Sequence, residues 1–176
     1  MRVTLYILIN IIICGCFTNE SEIMKPLKTV SKVDIERFMG DWYVIANIPT
    51  FLEKSATNAI ESYQLNDKGD IDATFSFYQN SPTGKKKVYH PKGFIFNSTT
   101  NAEWRMQFLW PFKMPFLIID LDDEYSYTVI GYPSRNYVWI MARNPELPEK
   151  TYQSILKNLE YVGYDISRIN KVPQIW

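Results

Sequence analysis

The chain is 176 residues long, enough for one domain with a substantial core and short for two. Hydrophobic residues make up 46% and aromatics 15%, a load that favours a β-rich protein because rings suit a pleated, half-buried surface. Lys plus Arg balance Asp plus Glu at 19 each, so no overall field draws in nucleic acid. The single histidine argues against a His-based metal site or a Ser–His–Asp triad.

Met1-Arg2 gives a weakly positive start, and the chain then runs apolar to Ile13 apart from Thr4, Tyr6 and Asn10. This stretch is shorter than the about 20 residues of a membrane span and suits the apolar centre of a signal peptide. Ile13-Cys14-Gly15-Cys16 resembles the bacterial lipobox, in which an aliphatic residue and two small ones precede an acylated cysteine. The resemblance implies cleavage before Cys16 and acyl chains on it. With Phe17 rather than Asp following, it also implies sorting to a bacterial outer membrane. An ordinary cleaved signal with an incidental cysteine is the alternative. Both cysteines lie in this segment, so no disulfide is expected in the rest of the chain. The expected organisation is a signal peptide over residues 1–15, a lipidated tether over 16–32, and one domain over 33–176.

The domain opens with a short helical turn in which Asp34 is the N-cap and Ile35, Phe38 and Met39 share a side. Turn residues then divide the sequence into eight strands, at residues 40–48, 59–65, 71–78, 87–96, 103–109, 116–121, 125–131 and 137–142. The connections are too short for crossover helices, so the sheet is antiparallel. After Pro148 the period changes. Tyr152, Ile155, Leu156, Leu159 and Val162 form a helical stripe stopped by Gly163, and residues 165–176 can pair with an edge or lie along the sheet. Eight strands and one helix predict an all-β, up-and-down barrel with the C-terminal helix packed outside, because closure removes the exposed edges.

Three motifs carry a family resemblance. Gly40-Asp41-Trp42-Tyr43 follows the helical turn, Asp122-Asp123-Glu124-Tyr125 joins the sixth and seventh strands, and Trp139-Ile140-Met141-Ala142-Arg143-Asn144-Pro145 ends the eighth. In this order and at these strands they resemble the three motifs of the lipocalins. The stretch from Phe108 to Pro145 is especially similar to bacterial outer-membrane, apolipoprotein-D-like members. The resemblance implies that Arg143 stacks on Trp42 at the closed floor of the barrel, and that the barrel holds a hydrophobic small molecule such as a fatty acid or lysophospholipid. With no cysteine left in the domain and His90 alone, neither catalytic residues nor a cofactor is expected, and a homodimer stays open.

With Trp42 and Arg143 inward, a period of two turns Val44, Ala46 and Ile48, and Tyr137, Trp139 and Met141, to the interior. Trp104, Met106 and Phe108 join them, with Tyr63, Ile71, Ala73, Phe75 and Phe77. The expected ligand wall is thus Tyr63, Ala73, Phe75, Trp104, Met106, Phe108, Trp139 and Met141, with Ala46, Ala73 and Gly93 leaving room. The alternative is that these side chains fill the core. Glu61 has the parity of Tyr63. It meets a polar headgroup, reaches water high in the barrel, or is turned out by a bulge; the cost of a lone buried carboxylate favours the last two.

Loops after odd-numbered strands share one end of an up-and-down barrel. The mouth should therefore carry Phe51 and Leu52, then Lys85, Lys86 and Lys87, then Trp110, Phe112 and their neighbours, then Tyr132 and Arg135. A solvated lysine tip and a self-packed aromatic lid are the bland readings. Their coincidence at one opening suits contact with anionic lipid. Other readings are a lipocalin-fold isomerase or epoxide-handling enzyme, and a haem or tetrapyrrole carrier touching His90 or Tyr63.

Overall fold

The computed structural model describes residues 25–176. The signal-peptide and Cys16 expectations fall outside the described residues. Asp34 caps the first turn, α1 (Ile35–Phe38), by accepting a hydrogen bond from the Arg37 N–H at 3.2 Å. The strands follow as β1 (Gly40–Ile48), β2 (Ala56–Leu65), β3 (Ile71–Gln79), β4 (Lys85–Tyr89), β5 (Lys92–Ile95), β6 (Glu103–Leu109), β7 (Phe112–Leu121), β8 (Tyr127–Gly131) and β9 (Val138–Ala142). Helix α2 (Glu149–Tyr161), a 3-10 turn at Ile166–Arg168 and the two-residue β10 (Asn170–Lys171) complete the chain.

All pairings are antiparallel, and β1 pairs with β9 as well as with β2, which closes the barrel. The expected fourth strand is split. Pro91 has no N–H for the ladder, so β4 and β5 both pair with β3, while the Pro91 carbonyl accepts from the Ala73 N–H at 3.0 Å.

Apolar side chains form two layers. One fills the barrel interior and includes Trp42, Tyr63, Phe75, Phe77, Trp104, Met106, Ile118 and Met141. The other lies between the barrel and α2, where Tyr152, Ile155 and Leu159 meet Val129, Val138 and Ile140. Gly163, at φ +93°, ends the helix, consistent with the stripe stopping there.

Strand bulges redistribute side chains between these layers. The β1–β9 register shifts between Val44 and Ala46, so Ala46 and Ile48 pack under α2 instead of facing inward as strict alternation predicts. Another shift in β2, between Thr57 and Ile60, leaves Asn58 at φ +48°. The C-terminal segment answers the backbone groups these bulges release: Gln174 Nε2 donates to the carbonyls of Val44 (2.8 Å) and Ala59 (3.1 Å).

Residues 25–32, expected as tether, lie against the barrel. The Val30 N–H donates to the Ile118 carbonyl at 2.9 Å, and Leu27 packs on the helix-side layer. Arg135, expected at the mouth, is buried. Its guanidinium donates to the carbonyls of Pro133, Val162 and Lys25, tying the end of α2 and this N-terminal segment together.

Candidate functional site

The three sequence motifs meet at one end of the barrel. Trp42 Nε1 donates to the Phe38 carbonyl at 2.9 Å, and the Arg143 guanidinium lies 3.8 Å from the centroid of the Trp42 ring. Arg143 also donates to the carbonyls of Arg37 (2.7 Å), Met39 (2.8 Å) and Asp41 (2.8 Å). Short helices leave their carbonyls without partners, and a cation here meets both the orphan oxygens and the negative end of the turn. In the middle motif, Asp122 Oδ1 accepts from the backbone N–H groups of Ser126 (2.7 Å) and Tyr127 (2.9 Å), while Tyr125 Oη accepts from the Asp34 N–H at 2.7 Å. This assembly seals the floor.

Above it, Trp104 stacks on Phe116 with centroids 5.2 Å apart, and Tyr63 and Phe38 pack edge-on to Trp104. Higher in the barrel, Phe75, Phe77 and Tyr89 form a second aromatic group, with Tyr89 partly exposed. The two groups place Tyr63, Ala73, Phe75, Trp104, Met106 and Met141 in the interior layer, with Trp139 packed at its edge. These buried side chains expose almost nothing, so the lower barrel is occupied by protein in this structure and an entering chain must displace side chains.

Phe108 departs from the expectation. The β6–β7 register shifts between Met106 and Leu109, and Phe108 there is 44% exposed, outside the buried interior layer. Gly93 gives no open room either: a Cβ there would come within 2.9 Å of Met106 Sδ and 3.0 Å of Ile71 Cβ. The glycine serves close strand packing.

Polar groups enter this apolar interior on β1, β2 and the loop between them. The β1 bulge turns Asn47 to the side of Glu53 and Trp139. Glu53 Oε1 accepts from Thr50 N–H (3.0 Å) and Thr50 Oγ1 (2.9 Å), and Oε2 from Asn47 Nδ2 (3.2 Å) and Trp139 Nε1 (3.1 Å). Burial pushes the Glu53 carboxyl above the usual carboxylate range, and these four donors oppose that shift. Sequence reading missed Glu53; its signal was the Thr50-x-x-Glu53 spacing of a side-chain capping turn after Pro49.

Glu61 points inward and is 8% exposed, which corrects the preference for a wet or outward-turned carboxylate. The β2 bulge lies before it, at Asn58, and leaves it on the face of Ala59 and Tyr63. The register sets it between Trp42 of β1 and Phe75 of β3. Tyr63 Oη donates to Glu61 Oε2. Desolvation pushes the Glu61 carboxyl up to about 7; the Tyr63 hydrogen bond lowers it, and the charge of Glu53 adds to the rise. Tyr63 itself is raised by burial and by its carboxylate partner.

At the other end lie the loops after β1, β3, β6 and β8. Phe51 is 80% exposed, Trp110 81% and Phe112 69%, so these rings stand free instead of packing into a lid. Lys85 and Lys86 are exposed and Lys87 is half-buried, while Lys113 Nζ sits 3.4 Å from the Phe94 centroid. His90 is on the outer face, where its Nδ1 lies 3.2 Å from Thr74 Oγ1. Among the described residues no helix is long and apolar enough to cross a membrane, and no cluster of three or more His, Cys, Asp or Glu is placed to hold a metal.

The lipocalin-like domain family matches residues 33–174. Temperature-induced lipocalin-1 of Arabidopsis thaliana is 31% identical over 159 residues, covering 85% of this chain and 84% of the relative. The outer membrane lipoprotein Blc of Escherichia coli strain K12 is 28% identical over 150 residues, covering 85% and 84%. Blc of Vibrio cholerae is 25% identical over 175 residues, covering 99% of both chains. Among solved structures, insecticyanin from the tobacco hornworm Manduca sexta superposes with a TM-score of 0.68 at 19% identity over 84% of each chain, a likeness of fold. With the closed barrel, the outer helix and the three motifs at one floor, these matches show that the chain belongs to the lipocalin family.

Proposed function

We propose that this protein carries a single-chain lipid, a fatty acid or a lysophospholipid, in its barrel while held on a bacterial outer membrane by acyl chains on Cys16. The observation that carries this reading is the mouth. Phe51, Leu109, Trp110 and Phe112 are exposed, as are Lys85, Lys86 and Lys113, at the end opposite the sealed floor. Exposed apolar side chains and cations on the loops of one barrel end suit a bilayer surface, and Met106 and Met141 supply adaptable walls for hydrocarbon. The Blc relatives, named as outer membrane lipoproteins, support the anchor, and the Vibrio cholerae protein aligns through the leader segment as well. The tetrapyrrole reading loses its contacts, since His90 faces outward and Tyr63 is committed to Glu61.

Vesicle co-flotation tests the mouth. A Cys16→Ser chain, which lacks the acylation site, should bind phosphatidylglycerol vesicles. Adding Lys85→Glu, Lys86→Glu and Lys87→Glu should weaken that binding at least tenfold, because each surface lysine contributes about 1 kcal/mol at an anionic membrane. Trp110→Ser with Phe112→Ser should weaken binding even to neutral vesicles. Unchanged binding by both variants would refute the docking role.

A further inference from the structure

We infer that the barrel interior holds a recognition site for a positively charged ligand head, an ammonium received by the free carboxylate oxygen of Glu61 among aromatic faces. The inference rests on the carrier reading and narrows its ligand class.

Four observations converge. Glu61 is more than nine-tenths buried and faces the interior, yet among the described residues only Tyr63 Oη bonds to it, on Oε2. Oε1 accepts no hydrogen bond from those residues, and Glu61 keeps 8% of its surface exposed. A second carboxylate, Glu53, is near enough to act on Glu61 electrostatically and is already saturated by Thr50, Asn47 and Trp139. It therefore adds negative potential without competing for the ligand.

Among the described residues, no buried cation faces this charge, and the Arg143 guanidinium on the Trp42 ring is held by three backbone carbonyls. The layer around Glu61 is apolar and aromatic: Trp42 of β1 and Phe75 of β3 flank it in the ladder, Tyr63 shares its face, and Trp104, Phe116 and Met141 belong to the same buried cluster. The buried charged residues among those described are Glu53, Glu61 and Arg135, and Arg135 is spent on backbone carbonyls outside the barrel. Aromatic faces attract cations through their negative quadrupole, and desolvation strengthens that attraction. A fatty-acid carboxylate placed here would instead meet two like charges and no donor but the committed Tyr63 hydroxyl. The interior thus favours a single-chain amphiphile bearing an ammonium over one bearing a carboxylate.

Binding of such a head should draw Glu61 into its ionised form, so affinity should increase as pH rises past Glu61's value of about 7. Glu53 and Tyr63 are the titratable groups facing it, and a cation between the carboxylates favours ionisation of both.

Calorimetric titration of the full chain carrying Cys16→Ser tests this with dodecylamine, dodecanol and sodium dodecanoate, which share one chain and differ in head. At pH 8 the amine should bind at least tenfold more tightly than dodecanoate, about 1.4 kcal/mol. Glu61→Gln should reduce that preference to within twofold. Dodecanoate binding as tightly as the amine, or a preference that persists in Glu61→Gln, overturns the inference while dodecanol binding keeps the carrier reading standing. Failure of all three probes to bind overturns both.

Discussion

Replacing Arg143 by alanine is expected to lower the free energy of unfolding by about 3 kcal/mol, from a partly desolvated cation–π contact of roughly 1 kcal/mol and three lost charge-assisted hydrogen bonds. Arg143 covers the Trp42 ring and donates to three carbonyls from the segment Arg37–Asp41. The substitution removes both roles at once. The bonds are partly solvated, so water replaces some of what is lost and the terms do not add in full. For a chain of this size the change corresponds to a melting point lower by about 6–12 °C. Arg143→Lys keeps the charge but not the planar fork, and should recover less than half of the loss. Urea denaturation measures both. A loss under 1 kcal/mol in Arg143→Ala would remove the floor assembly from any central part in stability.

Stability should fall as pH rises from about 4.5 to about 7, by about 3 kcal/mol from Glu61 alone. The sign follows from the direction of the shift. Burial raises the folded-state carboxyl to about 7 against an ordinary value of 4.5. In that window the folded protein therefore holds a proton that the unfolded chain has released. Below 4.5 both states are protonated and the group contributes no difference. Above 7 both are ionised, and the cost of the buried charge is borne in full. Glu53 is displaced in the same direction and deepens the slope. Glu61→Gln should flatten the slope and leave the variant more stable than the parent at pH 8, with little difference at pH 4. Denaturation midpoints at these two pH values decide the matter; stability that rises between pH 5 and 7.5 would contradict a buried, titrating Glu61.

Much of the fold was legible because its signals are local. Turn residues such as Asn66, Gly69 and Asp122 bound the strands, and β1 and β6 begin and end where the pattern placed them. What escaped was set by geometry that alternation does not encode. A bulge adds one residue and reverses the facing of everything beyond it. Ala46 and Ile48 therefore went to the helix side, and Asn47 came to bond Glu53. Phe108 was likewise lost to the interior at a register shift. No single-sequence pattern announces these positions; their satisfaction is non-local, as with Gln174 reaching back 130 residues to Val44.

Glu61 illustrates the opposite case. Its inward parity was readable, but the cost of an isolated carboxylate argued against accepting it. The answer lay two residues on, where Tyr63 shares its face and supplies a hydroxyl. Arg135 shows the limit of reading charge as display: a cation in a mouth loop was needed to hold three carbonyls.

The central claim is that the barrel takes up one single-chain lipid. Native mass spectrometry of the protein extracted from its own membrane, with identification of what is released, tests it most directly. One added mass per chain, corresponding to a single-chain amphiphile, is expected. Bare protein under every extraction condition, or a two-chain lipid or tetrapyrrole in its place, would contradict it.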